Sequence, residues 1–182
     1  MSNVIPLRCD YKFGPKLKAV GIDPGLSGAI SIVQTDERGF PRVSDIIDLA
    51  EFREKQGTNY YDIGSLLPCY YDAAEYAQMV VVEDVQVQSA VSSNTNMFKL
   101  GYSKGVLATL AHHNLSPDGW MHDVWFLKPA VWKGYFGLGK DKTKSLSLVR
   151  SIMPCSHEYF TLNAHHDRAE ATLLALAGLL MQ

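Results

Sequence analysis

The feature that most narrows the fold is the run Met79-Val80-Val81-Val82, wholly apolar, mostly β-branched and ending at Glu83-Asp84. β-Branched residues fit extended backbone. A strand with no polar alternation is buried on both faces, as in the parallel part of a sheet covered by helices. Covering helices are legible on either side of it. Ile63, Leu66, Leu67, Tyr70, Ala74 and Ala77 recur at three- and four-residue spacing, which predicts an amphipathic helix over about 61–78. A second helix is expected over about 96–113. Val106 through Ala111 are apolar nearly all round apart from Thr109, so its second half is expected to be buried on more than one side. Gly101 and Gly105 lie on one face of it and permit another backbone to come close.

The first third of the chain reads as an antiparallel meander. A strand over 17–22 ends at Asp23-Pro24-Gly25, where Pro24 lacks a backbone donor and Gly25 allows a turn. Residues 28–33 return as the second arm of a hairpin. A third strand is expected over 43–49, after the connection Arg38-Gly39-Phe40-Pro41. Downstream, 85–95 is a polar loop, 124–127 a further strand, and helices follow Asp141 and run from about 164 to the end. The order predicts an α/β fold with a mixed five-stranded sheet flanked by helices. One domain over 17–182 is expected, with 1–16 as an N-terminal tail.

Of the 182 residues, 47% are apolar and 20% charged, enough for a sizeable core and against general disorder. No apolar run approaches the ~20 residues of a membrane span, and the N-terminus lacks the order of a secretory signal. A cytoplasmic protein without membrane contact is therefore expected. Cys9, Cys69 and Cys155 are too scattered for a disulfide framework or a zinc site. The net charge of −2 hides an asymmetry: 36–84 carries eleven acids against four bases, whereas 128–150 carries six bases against Asp141 alone. The basic stretch includes Trp132, Tyr135, Phe136 and the turn Gly137-Leu138-Gly139. A solvated face would account for the charge, and so would a phosphate-backbone contact.

The acids that matter stand at element ends. Asp23 closes the first strand and Glu83 the apolar one, so neighbouring strands would bring both to one sheet edge. Asp167 and Glu170 are three apart at the start of the last helix and share a face. Four carboxylates converging on one volume would repel one another unless a cation intervened. Mg²⁺ takes oxygen ligands and is commonly held by carboxylates together with substrate phosphate. Two such ions can activate a water and stabilise a leaving oxygen in phosphodiester cleavage. Taken singly, Asp23 also reads as a turn residue, and Asp167 and Glu170 as charges favoured by a helix N-terminus. His165 and His166 adjoin Asp167, where solvated or core-satisfied roles compete with a part in metal binding or proton transfer.

At this point the residues resemble a known family. Gly21-Ile22-Asp23-Pro24-Gly25-Leu26-Ser27-Gly28-Ala29 is similar to the opening motif of RuvC-type Holliday-junction resolvases, particularly the phage-borne branch. Val82-Glu83, the polar loop and Phe98-Lys99-Leu100-Gly101-Tyr102-Ser103-Lys104-Gly105 resemble the second motif and the helix after it. Pro129-Ala130-Val131-Trp132-Lys133 and the lysines after it resemble the DNA-contacting region, and His166-Asp167-Arg168-Ala169-Glu170-Ala171 the closing helix motif. The resemblance implies an RNase H-like fold and a homodimer that cuts four-way DNA junctions symmetrically with Mg²⁺ or Mn²⁺, two ions per site. By position, Asp23, Glu83, Asp167 and Glu170 match its catalytic, metal-holding acids. Lys133 and Lys144 match its catalytic-region lysines, with Lys140 and Lys142 as further candidates for DNA binding. Two departures stand out: Asp84 replaces the glutamine common in cellular members, and 85–96 lacks the aromatic they can wedge into a crossover. The competing readings are an RNase H-like nuclease for other branched DNA or RNA–DNA hybrids, a non-catalytic junction binder, and an actin-like ATPase. The last would require a second glycine-rich phosphate loop, which is missing.

Overall fold

The computed structural model describes residues 12–25, 27–54, 60–85, 94–113, 123–139 and 141–181. Five strands, β1 (Lys18–Ile22), β2 (Ala29–Thr35), β3 (Pro41–Asp48), β4 (Met79–Glu83) and β5 (Asp123–Leu127), form one sheet in the order β3-β2-β1-β4-β5. The first three pair antiparallel, and β1, β4 and β5 are parallel. Around them lie α1 (Ile63–Ala74), α2 (Asn94–His113), α3 (Pro129–Tyr135), α4 (Lys142–Ile152) and α5 (His166–Met181). This is the mixed, helix-flanked sheet expected from the sequence.

Strand side chains alternate between faces, and the core divides accordingly. Val20, Ile22, Ile30, Ile32, Val80 and Val82 pack beneath α1 and α2. Ala19, Val33, Met79 and Val81 pack beneath α5, with Trp132 of α3 and Val149 of α4 in the same cluster. β4 is buried at all five positions, as its composition requires. α5 is buried from Ala169 through Leu179. It comes so near β1 that a Cβ on Gly21 would fall 1.9 Å from the Ala171 carbonyl oxygen. Only glycine permits that approach.

Several expectations need correction. The helix read as 61–78 is shorter, because Asp62 caps it by accepting from the Ser65 amide (3.2 Å) and Tyr76 turns into left-handed backbone at φ 60°. The apolar period outlasts the helix because Ala77 is a buried turn residue (5% exposed) that still faces the core. The second half of α2 buries one face only, through Leu107, Leu110 and Ala111, while Val106 and Ala108 are half-exposed. Its tertiary partners lie on one side, which composition does not reveal. The helix α3 was unforeseen. Pro129 opens it, with no amide to leave unbonded at that position. Most of the expected polar loop 85–95 lies outside the described residues, as do residues 1–11 of the expected tail. Phe13 and Gly14 bond to the sheet, through the Gly39 carbonyl and the Thr35 hydroxyl respectively. Cys69 and Cys155 are free and exposed.

Candidate active site

Parallel pairing of β1 with β4, in the register Ile22 to Val82, places Asp23 and Glu83 at adjacent strand ends. Glu170 stands on the first turns of α5, the helix seated on Gly21. Asp23, Glu83 and Glu170 are 8%, 6% and 4% exposed. Carboxylates are seldom so buried without partners. α3 supplies two. The Trp132 indole N–H donates to Glu83 Oε1 at 3.0 Å, and the Lys133 ammonium donates to Glu170 Oε1 at 2.8 Å. Lys133 Nζ also lies 4.9 Å from the Trp132 ring centroid. From α4, the buried Ser145 hydroxyl reaches the same Glu170 oxygen at 3.3 Å. Asp167 stands nearer the surface, its Oδ1 3.1 Å from His166 Nε2.

The turn carrying Asp23 is tightly built. The Asp23 amide donates to the Ala29 carbonyl (3.0 Å) and the Gly28 amide to the Gly25 carbonyl (2.8 Å). The Tyr61 hydroxyl donates to the Gly25 carbonyl at 3.1 Å, Ser103 bonds the Pro24 carbonyl, and the two hydroxyls touch each other. Burial, with a smaller push from the Asp23 charge, raises the Tyr61 pKa, so this phenol keeps the proton it donates. Tyr102 accepts from the Tyr61 amide (3.1 Å) and Lys104 pairs with Asp84. Three consecutive residues of α2 thus grip both acid-bearing strand ends. Asp84 is anchored in this way.

The donor set is of the hard, all-oxygen kind that suits Mg²⁺ or Mn²⁺. Among the described residues, however, no group of three or more His, Cys, Asp or Glu side chains is arranged to hold a metal ion. Asp23 and Glu83 are brought to one edge, Glu170 is held by Lys133 and Ser145, and Asp167 lies against His166. The Lys133 ammonium places a positive charge beside Glu170. Lys133, expected as a catalytic-region and DNA-contacting lysine, has its ammonium on Glu170. Lys144 is exposed on the first turn of α4, Lys140 lies outside the described residues, and nothing is described of the Lys142 side chain. His165 accepts from the Leu162 amide (3.4 Å), and burial and Arg168 lower its pKa, which favours the neutral ring.

The sequence reading missed Trp132, Ser145, Tyr61 and Ser103 as site residues. The only available signal was an aromatic beside a lysine in the basic stretch, and Trp132 lies 49 residues from Glu83.

No protein-family model and no curated protein matches the sequence. Solved structures do. The fold is that of the RuvC resolvases. Thermus thermophilus RuvC superposes with a TM-score of 0.61 at 18% identity, covering 91% of this chain and 95% of that one. The same protein in complex with Holliday junction substrate gives 0.60 at 16% identity over the same shares. The yeast mitochondrial Holliday junction resolvase Ydc2 gives 0.57 at 14%, covering 94% of this chain and 81% of that one. The RuvC-type, RNase H-like fold thus spans nearly the whole chain.

Proposed function

We propose that this protein is a structure-specific DNA endonuclease that resolves four-way junctions by symmetric, metal-dependent phosphodiester hydrolysis. The observation that carries the reading is the pair of buried carboxylates Asp23 and Glu83 at the C-terminal edge of the parallel strands of a RuvC-type sheet, with the buried Glu170 on α5, the helix packed on β1. Function rests on the site, since a fold alone hosts many activities. Asp23, Glu83, Glu170 and Asp167 would hold Mg²⁺ or Mn²⁺, two ions per site, which supply an activated water and charge stabilisation at the leaving 3′ oxygen. The residues of α3 and α4 orient the acids, and Lys144, with Lys140 and Lys142, neutralises the DNA backbone. A two-fold junction suits a homodimer, and the α2 face at Gly101 and Gly105, open to solvent in the isolated chain, is the contact we assign to it. Placement in the phage-borne branch, acting in the host cytoplasm, rests on the opening motif and Asp84.

The test is cleavage of a labelled mobile four-way junction in Mg²⁺, beside linear duplex and RNA–DNA hybrid, with wild type and Asp23→Asn. Paired symmetric nicks that vanish with chelator or with Asp23→Asn are expected. Cutting of the hybrid alone would keep the fold and overturn the substrate. Tight junction binding without cutting in any divalent metal would make the protein a binding module.

A further inference from the structure

We infer that Trp132 is a positioning residue of the acid site, whose indole N–H sets the orientation of the Glu83 carboxylate toward a divalent cation. The inference rests on the metal-nuclease reading above and adds a residue to it. Trp132 is fully buried, although its neighbour Val131 on the seven-residue helix α3 is 44% exposed. A buried indole N–H must find an acceptor, and any backbone carbonyl would serve. This one takes a carboxylate oxygen, Glu83 Oε1, at 3.0 Å.

The placement follows from the topology. β5 pairs with β4 in the register Glu83 to Leu127, and Pro129 starts α3 two residues later. The first turn of α3 is thereby folded back over the end of β4, and its fourth residue lands beside Glu83. Trp132 and Lys133 then perform different tasks on consecutive positions. Lys133 brings a full positive charge to Glu170, which a divalent cation must compete with or displace. Trp132 brings a neutral donor, which orients Glu83 without adding a charge of its own. Donors of this kind orient ligating carboxylates in metal sites, and their loss costs about 10–100-fold in metal affinity or activity.

The test replaces Trp132 with its benzothienyl-alanine isostere, which keeps the shape and lacks the N–H, beside Trp132→Phe. Mn²⁺ affinity is measured on the protein alone by calorimetry or paramagnetic resonance, together with the thermal midpoint and junction binding in chelator. The isostere should keep its midpoint and metal-free junction binding while losing about 10–100-fold in Mn²⁺ affinity. In ¹⁵N-labelled wild type, the Trp132 indole resonance should move on Glu83→Gln. An isostere that binds Mn²⁺ as wild type does would reduce Trp132 to packing. A loss of affinity matched by a collapse of the midpoint would do the same. Wild type that neither binds Mn²⁺ nor cuts a junction would remove the metal-nuclease reading itself, an outcome distinct from either.

Discussion

Replacing Gly21 with alanine tests whether the acid site depends on the closeness of α5 to β1. The new Cβ would lie 1.9 Å from the Ala171 carbonyl oxygen and 2.5 Å from the Ala175 amide nitrogen. Both are helix backbone atoms, so no rotamer change relieves the overlap. The helix must lift until the first contact opens from 1.9 Å to at least about 3.0 Å. Asp167 and Glu170 ride on that helix, so the site shifts by about 1 Å as well. Overpacking of a rigid core costs about 1–3 kcal/mol. For a chain of this size each kcal/mol lowers the midpoint by about 2–4 °C, so a fall of up to about 12 °C is expected. Misplacing reacting groups by about 1 Å is worth about 10²-fold in rate. The control is Gly134→Ala, an exposed position of α3 where a Cβ meets nothing within 4 Å and helical alanine should stabilise by about 0.4–1 kcal/mol. Thermal unfolding by circular dichroism and single-turnover junction cleavage provide the two readouts. Gly21→Ala with the wild-type midpoint and rate would refute the reasoning, as would equal destabilisation by Gly134→Ala.

Other expectations follow from the same geometry. Asp23→Asn and Glu83→Gln should bind junctions yet cut them at least ~10²-fold more slowly in single-turnover assays; near wild-type cutting would remove that residue from the site. Lys144→Ala should weaken junction binding and reduce the salt slope by about one phosphate contact, whereas Lys133→Ala, which strips Glu170 of its ammonium partner, should depress cleavage more than binding. Hydrogen bonds to the ionised carboxyl hold Asp36 (chiefly from the Phe40 amide), Asp62 (from Ser65) and Asp141 (from Thr143) below the usual value of 3.8. Their native pKa values lie below the unfolded ones, so the stability they add is complete above about pH 4 and is lost as pH falls through the native values. Asp→Asn at the three positions should flatten the acid limb of urea midpoints measured from about pH 5 to 2; an unchanged limb would discount these bonds.

How far the sequence carries this protein can be read from particular residues. The run Met79–Val82 announces a doubly buried strand, because four apolar side chains in succession leave no face for water, and β4 is buried throughout. Asp23 before Pro24-Gly25, and Glu83 after that run, are local signals, since a charge at the end of a buried strand must emerge at the sheet edge. That these two edges coincide was a conditional statement until the parallel register of β1 and β4 made it fact.

Other features were decided only by tertiary structure. The length of α1 turned on the backbone at Tyr76, and the buried side of α2 on which neighbours it met. Lys133 was marked by resemblance alone, and only packing shows that its ammonium lies 2.8 Å from Glu170. Trp132 reaches Glu83 because β5 carries α3 back across the sheet edge. Composition and spacing determined which elements form and where their charges stand, because those depend on a few neighbouring residues. Which charges meet, and which donors they meet, depends on contacts between residues tens of positions apart, and only the packed sheet and helices bring these together.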